Sequence, residues 1–163
     1  MKTLLLLRHA KSSWDDDQLS DHDRPLNKRG RRDAPRMGRL LADQDLVPDL
    51  ILTSTAKRAR RTAEAVAKTC GFAGELLALS ELYHAAPEEC VRVLGQLSAT
   101  TNRPLLVGHN PGLEELLDRL TDHDEVMPTA ALAQLQLPIT GWEQLALDSP
   151  ATLVAIWRPR ELD

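Results

Sequence analysis

Two histidines follow short apolar segments that are typical of buried strands. His9 comes after residues 4–7, with Arg8 between them, and His109 comes shortly after residues 105–107. A neutral imidazole can attack phosphorus, and a protonated one can donate a hydrogen bond to a phosphate oxygen. Two histidines at equivalent strand ends therefore indicate a site for phosphoryl chemistry.

Arginines accompany both histidines. Arg8 precedes His9, and Arg58 lies near the predicted start of a helix that follows a second strand. A guanidinium group matches the geometry of phosphate oxygens and stays charged at any working pH. Helices that begin after the strands direct backbone N–H groups to the same region. These residues predict a positively charged pocket in which two arginines and a protonated histidine stabilise a transferring phosphoryl group.

The strands that must position these residues are short and apolar. They are predicted at residues 4–7, 49–53, 76–79 and 105–107, and two further β-like segments follow at 131–137 and 153–157. Fully apolar strands are typical of a parallel sheet that is covered on both faces. Ligands of such sheets bind at the carboxyl ends of the strands, where both histidines lie.

Helices are predicted between the strands. They cover residues 28–45, 57–69, 87–97 and 110–120. Asn27 is the predicted N-cap of the first helix, Pro35 is expected to kink that helix or shift its start, and Ser54 or Thr55 is expected to cap the second helix. The alternation predicts an α/β fold, a three-layer α/β/α sandwich with a mostly parallel central sheet.

Composition narrows the class of protein. The chain has 163 residues, which is enough for one domain with its own core, and its aromatic content of 3% is too low for stacking nucleic-acid bases. The apolar segment before Arg8 is too short for a signal peptide, and no segment approaches the roughly 20 apolar residues of a membrane helix. We expect a cytoplasmic protein with no membrane or nucleic-acid partner and with Cys70 and Cys90 as buried thiols.

Charge is distributed unevenly along the chain. Residues 24–61 contain eleven Lys and Arg but four Asp and Glu, whereas the whole chain has a formal net charge of −4. A basic segment within an acidic protein fits a small anionic ligand or an acidic partner. The alternative is that most of these residues form the solvated face of a helix.

Four segments resemble the motifs of the histidine phosphatase, or phosphoglycerate mutase-like, superfamily. They are LRHAKS at 7–12, RPLNKRG at 24–30, STAKRARRTA at 54–63 and VGHN at 107–110. The segments follow the family order and span about residues 3–120. The chain length and two further segments, KSSW at 11–14 and HNPG at 109–112, are most similar to SixA-type phosphohistidine phosphatases. The resemblance implies a single histidine phosphatase domain over residues 1–163.

The resemblance also implies roles for individual residues. His9 would be the nucleophile that becomes phosphorylated, and Arg8 and Arg58 would hold the phosphoryl oxygens. His109 would donate a hydrogen bond to the transferring group, and Ser12 would add a contact near the phosphate. No metal or other cofactor is implied.

Two positions depart from the family pattern. Ala10 stands where a glycine usually follows the nucleophile. The family places a Glu or Asp after the third strand as general acid, and Glu81 is the best match, with a solvated turn residue as the alternative. A phosphohistidine substrate reduces the need for an acid, because its P–N bond breaks readily once the imidazole is protonated. An alkyl phosphate requires one.

The implied activity is that of a phosphatase, with a phosphohistidine on a protein as the best candidate substrate. Two alternatives stay open: a phosphatase of small phosphate monoesters, and a catalytically weak module that binds phosphate or a phosphoprotein. A metal-dependent phosphohydrolase that uses the Asp-His-Asp segments 21–23 and 122–124 is disfavoured, because adjacent loop residues rarely bind one ion together. The sequence leaves open whether Trp14, His22 or His84 contacts a ligand.

Overall fold

The computed structural model describes residues 1–162 and contains one six-stranded sheet. The strands are β1 (Lys2–Arg8), β2 (Leu50–Ser54), β3 (Glu75–Leu79), β4 (Pro104–Gly108), β5 (Leu132–Leu137) and β6 (Thr152–Trp157). The helices are α1 (Lys28–Asp43), α2 (Lys57–Cys70), α3 (Pro87–Leu94) and α4 (Gly112–Thr121). Short 3₁₀ turns cover Asp21–Asp23, Ser80–Leu82, Trp142–Gln144 and Pro159–Glu161.

The strand order in the sheet is β3-β2-β4-β1-β5-β6. The first four strands in this order run parallel to one another, and β5 runs antiparallel to both of its neighbours, β1 and β6. The predicted mostly parallel sheet is confirmed. The parallel half of the sheet brings the carboxyl ends of four strands to one edge.

The leucines of β1 explain why helices cover both faces of this sheet. Successive strand residues point to opposite faces. Leu5 and Leu7 pack in one core cluster with α1 and α2, while Leu4 and Leu6 pack in a second cluster with α3 and α4. All four leucines are fully buried. The three-layer α/β/α arrangement follows from this alternation.

Local signals set the start of α1 as the sequence predicts. Asn27 caps the helix, because its side-chain oxygen accepts a hydrogen bond from the backbone N–H of Gly30 at 2.9 Å. The helix begins at Lys28 and continues through Pro35, so the proline does not shift its start.

Several predicted helix boundaries differ from the structure. Helix α1 ends at Asp43, two residues earlier than predicted, and α4 begins at Gly112, two residues later. Ala56, not Ser54 or Thr55, occupies the N-cap position of α2, because Ser54 is still part of β2. The hydroxyl of Ser54 accepts a hydrogen bond from the backbone N–H of Ala56 at 3.1 Å. Helix α3 ends at Leu94, three residues earlier than predicted, where Gly95 follows.

Both cysteines are free and buried, as predicted. Burial raises the pKa of both thiols, that of Cys90 to about 12, so neither is a ready nucleophile. Across residues 1–162, the helices are too short or too polar to cross a bilayer.

Candidate active site

A cavity of about 330 Å³ lies at the carboxyl ends of the parallel strands. Five of the predicted site residues line it: Arg8, His9, Ser12, Arg58 and His109. The pairing of β1 with β4 explains how the two histidines meet. The last paired residues of these strands are Arg8 and Gly108, so His9 and His109 leave the sheet side by side. Their ring centroids are 5.0 Å apart.

One nitrogen of the His9 imidazole forms a hydrogen bond with the backbone. Its Nδ1 lies 2.8 Å from the carbonyl oxygen of Ala10 and donates to it, because a carbonyl can only accept. This tautomer leaves Nε2 with a free electron pair. Burial lowers the pKa of His9 to about 4, and the positive charges of Arg58 and Arg8 act in the same direction. His9 is therefore neutral and nucleophilic at neutral pH.

His109 is also neutral at neutral pH, which differs from the protonated histidine that the sequence predicts. Burial lowers its pKa to about 2, with further contributions from His9 and Arg58. Its Nε2 lies 2.8 Å from Oγ of Ser54. Its Nδ1 lies 3.5 Å from Nη2 of Arg58, and because a guanidinium can only donate, Nδ1 is the acceptor. The ring proton of neutral His109 therefore resides on Nε2 and is donated to Ser54, so donation from Nδ1 requires a protonated ring.

The two predicted arginines are held by protein acceptors. Arg8 donates from Nη1 to the carbonyl oxygen of Met127 at 3.1 Å, whereas its buried Nε has no hydrogen-bond partner within residues 1–162. Arg58 donates to the backbone oxygen of Asp21 at 2.7 Å and to its carboxylate at 3.0 Å. An unpaired buried donor is costly, so the Nε of Arg8 is suited to an anionic ligand.

Arg24 is a cavity residue that the sequence analysis did not single out. It is 6% exposed and donates to the carbonyl oxygen of Ser13 at 3.0 Å and to the hydroxyl of Ser12. Its guanidinium lies 3.2 Å from the ring centroid of Trp14, a cation–π contact. Trp14 itself lines the cavity. The available signal was the position of Arg24 as the first residue of the segment 24–30.

Asp21 is the second residue that sequence reasoning missed. Its carboxylate accepts four hydrogen bonds at 2.6–3.1 Å, from Arg24, Arg58, Tyr83 and His84. Burial alone would raise the pKa of this carboxyl, but the four bonds hold it well below its usual range. Asp21 therefore stays ionised and joins the 3₁₀ turn Asp21–Asp23 to the cavity wall.

No metal centre is formed by the Asp-His-Asp segments. In the described part of the chain, no group of three or more His, Cys, Asp or Glu side chains is arranged to hold a metal ion. Asp21 is engaged by donors, and the imidazole of His22 lies 2.9 Å from the hydroxyl of Thr55, away from the cavity lining.

Glu81 does not join the other predicted site residues. It lies in the 3₁₀ turn Ser80–Leu82, is exposed, and accepts a hydrogen bond from the hydroxyl of Ser80 at 3.2 Å. The turn buries Leu82 to 1% exposure, which directs Glu81 to the surface. His84, two residues beyond this turn, lines the cavity instead.

Comparison with known proteins shows which family has this geometry. Residues 4–83 match the histidine phosphatase superfamily (branch 1). The chain is 33% identical over 159 residues to an uncharacterized chloroplastic protein of Arabidopsis thaliana, covering 91% of this chain and 73% of that protein. The putative phosphohistidine phosphatase SixA from Agrobacterium tumefaciens matches with a TM-score of 0.83 and 30% identity, over 97% of this chain and 98% of the other. A putative SixA from Nakamurella multipartitia matches with a TM-score of 0.82 and 27% identity, over 97% and 96% of the two chains. The chain belongs to the histidine phosphatase superfamily.

Proposed function

We propose that this protein is a phosphatase that works through a phosphohistidine intermediate and removes phosphate from phosphohistidine on a protein. The observation that carries the proposal is the buried pair of His9 and His109, 5.0 Å apart, in a cavity that also contains Arg8 and Arg58. A neutral imidazole with a free Nε2, surrounded by guanidinium groups, is suited to attack phosphorus in an anionic group.

In the first step, Nε2 of His9 attacks phosphorus while the bond to the leaving group breaks. The charge on the phosphoryl oxygens is stabilised by Arg8, Arg58 and Arg24. The anionic phosphoryl group also favours a protonated His109, whose Nδ1 can then donate to a phosphoryl oxygen. In the second step, water attacks the phosphorus on His9 and releases inorganic phosphate. The guanidinium groups supply the positive charge that metal ions provide in other phosphoryl-transfer enzymes, so the proposed reaction is independent of metal and cofactor.

The roles of Ser12 and Glu81 are narrower in this proposal than the resemblance implies. Ser12 acts on the phosphate chiefly by fixing Arg24, whose guanidinium donates to its hydroxyl. General-acid catalysis by Glu81 stays a prediction, and its exposed position in the turn Ser80–Leu82 does not favour it.

A protein substrate is favoured by a second basic cavity beside the first. This cavity of about 190 Å³ is lined by Arg29, Arg32 and Arg160 and shares Thr129 with the catalytic cavity. An acidic protein surface could contact these arginines while its phosphorylated side chain reaches His9. A small phosphate monoester would use the same catalytic residues without needing the second cavity.

We further propose that residues 1–163 form one histidine phosphatase domain that acts in the cytoplasm, without a membrane or nucleic-acid partner. The two buried free thiols, Cys70 and Cys90, are compatible with a reducing compartment.

The test is phosphate release, in the presence of EDTA, from a phosphohistidine-containing protein domain and separately from an aryl phosphate. We expect wild-type protein to release phosphate faster from the protein domain and His9→Ala to release none above background. His123→Ala is the matched control, since its imidazole lies outside the cavity and contacts the carbonyl oxygen of Thr121. Turnover by His9→Ala at the wild-type rate would overturn the mechanism. A preference for the ester would move the function to small-molecule hydrolysis.

A further inference from the structure

A leaving group that is not already protonated, such as that of an alkyl or aryl phosphate, needs a proton donor on the side of phosphorus opposite His9. An in-line displacement places the attacking nitrogen and the leaving atom on opposite sides of phosphorus. His9 is only 7% exposed, whereas the side chain of His84, in the same cavity, is 53% exposed, so we expect the leaving atom to point toward the more exposed part of the cavity. We therefore expect a general acid in that part of the cavity, where Glu81 does not lie.

His84 is the residue at this position whose chemistry suits the task. It lines the cavity, its side chain is 53% exposed, and imidazole is the side chain that most often transfers protons in enzymes. Asp21 is also close, but its carboxylate is ionised and accepts four hydrogen bonds, so it has no proton to give. Arg24 keeps its proton at any working pH.

Three contacts fix the orientation of the His84 imidazole. Its Nε2 donates to the carboxylate of Asp21 at 3.1 Å, its ring centroid lies 4.2 Å from that of Tyr83, and it lies 5.0 Å from that of His109. The backbone of His84 has a φ of +52°, in the left-handed region that few non-glycine residues occupy. With Nε2 bound to Asp21, Nδ1 is the nitrogen that remains for a substrate.

The charges around His84 are of both signs. Asp21 contributes a negative charge from the 3₁₀ turn Asp21–Asp23, and Glu115 of α4 lines a neighbouring cavity together with His84. Arg58 contributes a positive charge, while His109 is neutral at neutral pH. The carboxylate of Asp21 is the one that contacts the ring, as in enzymes where an aspartate fixes the tautomer of a histidine and stabilises its protonated form.

We propose that His84, oriented by Asp21, is the general acid and then the general base of this enzyme. This inference rests on the proposed phosphatase function. When Nε2 of His9 bonds to phosphorus, the leaving oxygen or nitrogen takes its bond electrons and the proton from Nδ1 of His84. The neutral Nδ1 then takes a proton from water, whose oxygen bonds to phosphorus as the bond to His9 breaks. Inorganic phosphate leaves, and His84 is again protonated.

The experiment compares substrates whose leaving groups differ in their need for a proton. His84→Asn removes the donor, and asparagine tolerates the left-handed backbone, so the fold should be retained. For phenyl phosphate, whose leaving group is basic, we expect kcat/KM to fall on the order of 100-fold. For 4-nitrophenyl phosphate, whose leaving group needs little protonation, it should fall far less.

A second measurement follows the two steps separately. With 4-nitrophenyl phosphate, His84→Asn should release one equivalent of nitrophenol quickly and then turn over slowly, because water activation is impaired. His123→Asn is the matched control and should behave as wild type on both esters. Equal losses on both esters, or no loss on either, would overturn the assignment of His84. So would the leaving-group pattern appearing in Glu81→Gln instead.

The two proposals fail in different ways. If wild-type protein forms no phosphoenzyme that depends on His9, the proposed function fails, and with it the role of His84. If wild-type protein forms this phosphoenzyme and His84→Asn loses the same activity on both esters, or none on either, only the role of His84 fails.

Discussion

Neutral His9 and His109 make the stability of the protein depend on pH. Folding lowers their pKa values from the usual 6.5 to about 4 and about 2, with burial as the largest cause. Below pH 6.5 the unfolded chain therefore binds protons that the folded protein does not bind. The free energy of unfolding is therefore highest above pH 6.5. It falls as the pH drops from 6.5 toward the pKa values of the folded protein.

We predict that the free energy of unfolding falls by about 2 kcal/mol for each of the two histidines between pH 7 and pH 5. Denaturant unfolding at the two pH values measures it. The double variant His9→Gln/His109→Gln should lose much less stability over this interval than wild type, whereas His123→Gln should lose as much as wild type. An equal loss in the double variant and wild type would show that other groups control the acid sensitivity.

Among the elements, α2 supports the proposed nucleophile, His9, through the hydroxyl of Thr62. Thr62 is fully buried; its Oγ1 accepts from the backbone N–H of Ala10 at 2.9 Å and donates to the carbonyl oxygen of Arg58 at 2.8 Å. The Thr62 side chain thus links Ala10, the residue after His9, to Arg58. The loop after β1 and the first turn of α2 are positioned relative to each other by this link.

We predict that Thr62→Val lowers the free energy of unfolding by about 1–3 kcal/mol, because it leaves the N–H of Ala10 buried without an acceptor. It should also lower kcat/KM, since the position of His9 is less well fixed. Thr62→Ser keeps the hydroxyl and should retain most of the activity. Denaturant titration and phosphate release on the same protein samples test both effects. A Thr62→Val protein as active and stable as wild type would contradict the link.

The elements themselves were largely predictable, because their signals are local. The leucines of β1 indicate a strand that is buried on both faces, and Asn27 marks the start of α1 within one residue. The histidines could be placed for the same reason, since each follows a strand directly. Parallel pairing of β1 with β4 then brings them together without further information.

The remaining site residues depend on contacts between distant segments. Asp21 and Arg24 come from the irregular segment before α1, and their positions follow from bonds to α2 and to the turn after β3. Ser54 lies next to His109 only because β2 pairs with β4. Glu81 is turned outward by the burial of Leu82, which no local pattern indicates.

At the scale of the whole molecule, the second basic cavity is the feature suited to binding a protein partner. Arg29 and Arg160 are exposed, and neither forms an ion pair with a carboxylate within residues 1–162. They line the second basic cavity, which meets the catalytic one at Thr129. An acidic protein could therefore be attracted and oriented there before its phosphorylated side chain enters.

The prediction is that Arg29→Glu/Arg160→Glu raises KM for a phosphohistidine protein domain on the order of tenfold, equivalent to about 1.4 kcal/mol. Turnover of an aryl phosphate should change little. Arg92→Glu/Arg119→Glu carries the same charge change on α3 and α4, the helices of the opposite layer, and should leave both substrates unaffected. Steady-state kinetics at low and high salt measures the difference. Equal effects of the two double variants would indicate a general charge effect and no docking surface.

The carboxylate of Asp21 also bears on how long inorganic phosphate remains after each turnover. The product presents the same oxygens as the substrate, so a cavity with Arg8, Arg24 and Arg58 would retain it strongly if all three guanidiniums were free to close on it. Asp21 already accepts from two of them and keeps them partly neutralised. In the proposed reaction, we expect this shared carboxylate to shorten the residence time of the product and to limit inhibition by free phosphate.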